Sequence, residues 1–353
     1  MPALATPQDR FRGCLLGFAI GDALGFALRG LPPNALRRAA CLADDFSPRP
    51  RGRFEKGQFS DDTQLLLATV EAVLSQGRLD GKAAMTQYSW LWRDGIILHP
   101  PLNLSHSIQS FLSGTPWMSS GASLGLCEPS CLSRGAVIGL WEEQAPGVVA
   151  HRATMLTVPT HKDPMCAAAC AAFARAIQLC LGEEPQTPLA FCQALAYAAS
   201  ASSPQLADEL CFLPRALAWD SERALGLLRT VLVPSKQCQE EPGIPEHVAP
   251  VLLIALFAMM CSPDDLRHAL NRVLRMGGAA DVSAGMLGAL FGASLGVGGF
   301  APRLRKNIRY GEHILGAADR LFLSHQQNGP TLSEAMPTAA PHPHTLQQRY
   351  PRR

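Results

Sequence analysis

The chain has 353 residues, 47% of them hydrophobic and 17% charged, with 31 Lys and Arg against 29 Asp and Glu. Such an apolar, weakly charged composition excludes a disordered protein, and the length supplies enough surface to bury a large core. A formal net charge of +2 gives no global case for nucleic acid as a partner.

Eleven cysteines stand mostly among Ala and Leu, as in Cys166-Ala-Ala-Ala-Cys170, with no Cys-x-x-Cys pair. An odd number at this spacing fits buried thiols in a reducing compartment. The longest uninterrupted apolar run, residues 251–261, has eleven residues, against about 20 for a membrane span. Residues 14–28 are apolar but carry Asp22 and several glycines, and no clear cleavage site follows. The expectation is a cytoplasmic monomer without membrane contact, although secretion without a cleavable signal would leave no trace in such a sequence.

In chain order, apolar spacing predicts helices over residues 12–28, 61–75, 164–181, 189–201, 251–260, 263–275 and 283–295. Prolines at 32–33, 100–101, 129, 159, 185, 234 and 242–245 punctuate them. Period-two alternation of β-branched residues is nearly absent and aromatic residues are 7%, so the expected fold class is all-α. Residues 1–325 read as one domain. Residues 326–353 are Pro-rich and polar, without apolar periodicity, and read as a mobile tail or, less simply, a basic docking peptide.

Three acidic segments stand out. In Gly57-Gln58-Phe59-Ser60-Asp61-Asp62-Thr63, Ser60 suits a helix N-cap and the two aspartates suit its first turn. The same oxygens could instead ligate a hard cation such as Mg²⁺. In Met276-Gly277-Gly278-Ala279-Ala280-Asp281, the glycines permit a sharp turn and Asp281 opens a helix carrying Gly285, Gly288, Gly292 and Gly296. Small residues at that spacing suit close helix–helix approach and need no ligand. In Gly21-Asp22-Ala23-Leu24-Gly25, Asp22 lies inside an apolar helix, where it must be satisfied. A carboxylate capping a neighbouring helix would do that; so would a functional role.

In this order the three segments resemble the ADP-ribosylglycohydrolase family. Gly21–Gly25 matches its Gly-Asp-Ala-Leu-Gly core, and Gly57–Thr63 its Thr-Asp-Asp-Thr helix start with Ser60 for the first Thr. Residues 277–296 match its Gly-Gly-Asp-Thr-Asp-Thr turn and Gly-rich helix. Residues 130–140 look like its substrate loop with Arg134 kept, and Thr160-His161 like its Thr-His. The resemblance covers roughly residues 9–324.

The resemblance implies a compact orthogonal all-α domain, an ADP-ribose cleft, and cleavage of ADP-ribose from modified protein side chains, arginine first. It implies Asp61, Asp62 and Asp281 as catalytic carboxylates with Asp22 in reserve. It places Ser60, Gly278, Arg134, His161 and Arg29 at the substrate. The family's two Mg²⁺ ions would fall on Ser60, Asp61, Asp62 and Asp281. Three departures weaken that centre: Ala279 and Val282 replace an Asp and a Thr, and Arg29 replaces a Glu. The expectation is one weak Mg²⁺ site at most, or a metal-independent reaction, and Arg29 ion-paired to one of the aspartates or holding the substrate pyrophosphate. An unusual linkage such as cyclised ADP-riboxanated arginine would suit the altered centre. The rival expectation is a non-catalytic ADP-ribose-binding protein serving in immunity, as a scaffold or in regulation.

Overall fold

The computed structural model describes residues 5–29, 31, 33–39, 41–47, 54–142, 146–182 and 186–329. Among these the chain forms seventeen α-helices and four 3-10 turns, with two isolated β-bridges in place of any sheet. The all-α expectation holds.

The first helix, Pro7–Phe26, starts where Thr6 accepts the Asp9 amide and Pro7 fills the first position. Its mid-section is buried all round, as is Ala280–Leu295, so both are core helices. They run antiparallel against each other along a glycine ladder. A Cβ at Gly17 would lie 2.2 Å from the Gly288 carbonyl oxygen, and one at Gly21 1.9 Å from that of Ala284. At the end of the ladder, a Cβ on Gly25 would meet Asp281 Cα at 2.3 Å. The backbones therefore touch, and the last turn of the first helix is set directly on the start of the Asp281 helix. Close helix approach, the bland reading of these glycines, is the one the structure takes.

Around this pair pack Asp61–Gln76, Ser133–Trp141, Pro164–Leu181, Val248–Cys261 and Gly311–Asn328. Pro164–Leu181 is long and apolar enough by composition to cross a membrane, yet 67% of it is buried inside the fold, as in a core helix. All eleven cysteines are free, and six are buried.

One sequence expectation is corrected here. Residues 130–140 are not a loop: Pro129–Leu132 is a 3-10 turn and Ser133–Trp141 a buried α-helix. The glycines of this segment are close-approach positions. A Cβ at Gly135 would lie 2.8 Å from the Phe173 ring, and one at Gly139 2.6 Å from the Ala174 carbonyl oxygen. The last helix continues to Asn328, past residue 325, and the rest of the expected tail lies outside the described residues.

Candidate active site

Asp61–Gln76 begins at Ser60, whose hydroxyl accepts the Asp62 amide at 3.1 Å and faces Asp62 Oδ2 at 3.2 Å. Asp22 reaches across from the first helix to the same helix start. Its carboxylate accepts the Ser60 amide at 3.1 Å, the Thr63 amide at 3.2 Å and the Thr63 hydroxyl at 2.5 Å. Asp22 is therefore a cap supplied by a neighbouring helix, which is how a buried carboxylate in an apolar helix is satisfied. Burial and nearby Asp281 push it up to about 7, against the pull of the Thr63 and Ser60 hydrogen bonds.

Asp61 and Asp62 are each 2% exposed. Burial, first, and the surrounding carboxylates hold both well above the usual carboxylate range, while Arg29 pulls Asp61 the other way. Asp281 lies in the first turn of Ala280–Leu295, fully buried, with Oδ1 accepting the Val282 amide at 3.1 Å. Ala279 and Val282 flank it, buried and without oxygen ligands on their side chains. Gly278 has φ +68, and a Cβ there would lie 2.2 Å from the Ile244 carbonyl oxygen. Its missing side chain lets Ile244 dock on this turn, through Ile244 N–H to Gly277 O at 3.0 Å and Ala279 N–H to Ile244 O at 2.9 Å.

Arg29 points into this group. Its Nε stands 3.4 Å from Asp281 Oδ2 and its Nη2 3.1 Å from Glu246 Oε1. Asp281 above all, then Glu246, Asp61 and Asp62, hold its charge firmly in spite of burial. The sequence expectation that Arg29 pairs with one of the aspartates is met at Asp281.

His161 and Arg134 belong to an adjoining network. His161 is buried, with Nε2 3.1 Å from Glu128 Oε2 and Nδ1 2.8 Å from the Thr160 hydroxyl oxygen. Arg134 Nη1 donates to Thr160 Oγ1 at 2.7 Å and to Leu156 O at 2.9 Å, and its guanidinium lies 5.1 Å from the centre of the Tyr88 ring. Arg134 is fully buried, and its hydrogen bonds brace Thr160, and through it His161, from beneath.

Sequence reasoning missed Glu128 and Glu246. Glu128 accepts both the amide and the hydroxyl of Ser130 at 2.7 Å, along with His161. Burial works against its charge, but His161 and Ser130 hold it below the usual carboxylate range. Its field raises Asp61 and Asp62. The signal was faint, since Glu128-Pro129-Ser130 reads simply as a cap before a proline-started turn. A cavity of about 690 Å³, lined by Arg37, Arg229, Arg272 and others, takes in none of these carboxylates.

Ser60, Asp61, Asp62, Asp281, Asp22 and Arg29 thus form one buried centre with Glu128 at its border. This centre does not fit a pair of divalent ions. Ala279 and Val282 offer it no side-chain oxygen, and Arg29 already engages Asp281.

The sequence profile of the family described as ADP-ribosylglycohydrolase matches residues 3–331. The chain belongs to that family. An uncharacterised protein of Archaeoglobus fulgidus is 24% identical over 327 residues, 91% of this chain and 98% of that one. The ADP-ribosylarginine hydrolase Tri1 of Pseudomonas putida is 24% identical over 323 residues, 90% of this chain and 80% of its own. A solved structure described as an ADP-ribosylglycohydrolase-related protein complex shares the fold, with a TM-score of 0.70 at 22% identity, over 90% of this chain and 99% of that one. As a member of this family the chain is a glycosidic-bond hydrolase.

Proposed function

We propose that the protein releases ADP-ribose from ADP-ribosylated arginine side chains of proteins, without dependence on a two-metal centre. What supports the reading most is the division of the carboxylates into two classes. Asp61 and Asp62 are held high by burial and by the carboxylates around them, and Glu128 is held low by His161 and Ser130. Carboxyl groups pushed apart in this way supply a proton donor and an ionised acceptor at one pH.

The bond between ribose C1″ and the leaving nitrogen breaks through an oxocarbenium-like state. A protonated carboxyl of the Asp61–Asp62 pair gives its proton to that nitrogen as the bond breaks. An ionised carboxylate takes a proton from water as the water oxygen bonds to C1″. The concentrated negative charge of the centre stabilises the cationic sugar, an interaction made mainly in the transition state. A cationic guanidinium leaving group suits an acidic site, and the ADP-ribosylarginine hydrolase relative points the same way.

The test is incubation with arginine-ADP-ribosylated and with ADP-riboxanated protein, followed by mass spectrometry. Release of ADP-ribose from the arginine-linked substrate is expected. Release from the riboxanated substrate alone would move the proposal to that linkage, and release from neither would sink it.

A further inference from the structure

We propose that Arg29 is a tethered cation occupying the place of a divalent ion, and that removing it opens a single divalent-cation site on Asp62 and Asp281. The proposal rests on the acidic centre described above and on no assumption about its turnover. Buried carboxylates need a counter-charge or a donor for each oxygen, because desolvation is otherwise uncompensated. Among the described residues two oxygens here have no hydrogen-bond donor: Asp62 Oδ1 and Asp281 Oδ2, both fully buried. What Asp281 Oδ2 does have is the Arg29 Nε at 3.4 Å, an ion pair rather than a hydrogen bond.

A guanidinium matches this place imperfectly. It spreads one charge over a plane and donates along fixed directions. A divalent ion is compact and takes hard oxygen ligands from several sides. The Arg29 side chain keeps 24% exposure, whereas that of Asp281 has none. The arginine therefore stands between the carboxylates and solvent, and its truncation opens a path for an ion. Glu246, with 53% of its side chain exposed, holds the guanidinium from the solvent side at 3.1 Å. It acts as a latch that keeps Arg29 facing Asp281.

The experiment measures Mn²⁺ binding to the full chain by electron paramagnetic resonance and calorimetry. It compares wild type, Arg29→Ala, Arg29→Gln and the double variant Arg29→Ala with Asp281→Asn, each checked for folding by circular dichroism. One Mn²⁺ bound at least about tenfold more tightly in Arg29→Ala than in wild type is expected, with loss of that gain in the double variant. Arg29→Gln keeps most of the side chain's bulk, so it serves if Arg29→Ala does not fold, and the same gain is expected there. No gain in a folded Arg29 variant overturns the proposal, as does wild type binding Mn²⁺ as tightly as the variants. A wild type that releases no ADP-ribose from the arginine-linked substrate, together with a clear gain in Arg29→Ala, would overturn the proposed arginine-directed reaction and leave this one standing.

Discussion

Asp22 receives two amides and a hydroxyl from the next helix, so its replacement acts on stability before chemistry. Its carboxyl, pushed up to about 7, retains a proton in the folded chain that the unfolded chain has already released at about pH 4. Stability falls with pH wherever the folded state binds more protons. This contribution is thus full at low pH and is lost as pH rises from the ordinary carboxylate range through about 7. Asp61 and Asp62 act in the same direction. The melting temperature should therefore decline between about pH 5 and about pH 8, with a shallower slope in Asp22→Asn; a slope unchanged by that substitution would contradict the assignment. The chemistry should respond to the other carboxylates. Asp61→Asn, Asp62→Asn and Asp281→Asn should each lower kcat by roughly 10²-fold or more, with ADP-ribose affinity largely kept. Single-turnover assays check this, and full activity in all three folded variants would place the reaction elsewhere. Glu128→Gln deletes the charge and keeps one of the two oxygens that accept from Ser130 and His161. It should lower kcat and, because the fold favours the ionised form of Glu128, also lower the melting temperature at neutral pH; an unaltered kcat would confine Glu128 to capping. The aspartates were legible because Gly, Ser and adjacent Asp mark helix starts. Glu128 and Glu246 were not, because they reach the centre through tertiary packing that no local pattern records. That Arg134 is completely buried beneath Thr160 was likewise not legible, since a sequence does not record burial.

Helix pairing is what delivers these side chains. The glycine ladder sets Gly25 against Asp281 and so carries Asp22 and Arg29 to the same place. A valine at position 288 would begin with its Cβ 1.9 Å from the Gly17 carbonyl oxygen, leaving no option but separation of the helices. Gly288→Val should destabilise by about 1–3 kcal/mol or more, and activity should fall with it. Gly316→Ala is the contrast: a Cβ there meets nothing within 4 Å, so a helix-interior alanine should be neutral or stabilise by up to about 1 kcal/mol. Thermal unfolding of the two variants compares them directly; an unshifted Gly288→Val would show that the close approach is dispensable. The same ladder logic explains the misread element. Glycine spacing was legible as close approach over residues 285–296 because the run was long and flanked by Leu and Met. In residues 130–140 only Gly135 and Gly139 carry the signal, and Pro129 with Ser130 and Ser133 resembles a loop.

For the whole molecule, composition was enough to specify an all-α domain, because apolar helices without β-branched alternation have no other core to form. The ordered motifs carried the family. The altered centre is where this chain departs from a metal-based reading: Ala279 and Val282 remove ligands, and Arg29 supplies a positive charge to Asp281. Whether that arrangement acts on the arginine linkage without a metal is decided by one measurement, a single-turnover assay of wild-type protein on arginine-ADP-ribosylated substrate, run with Mg²⁺ and with EDTA. ADP-ribose released at similar rates in both is the predicted result. Release only with Mg²⁺, or none in either, would contradict it.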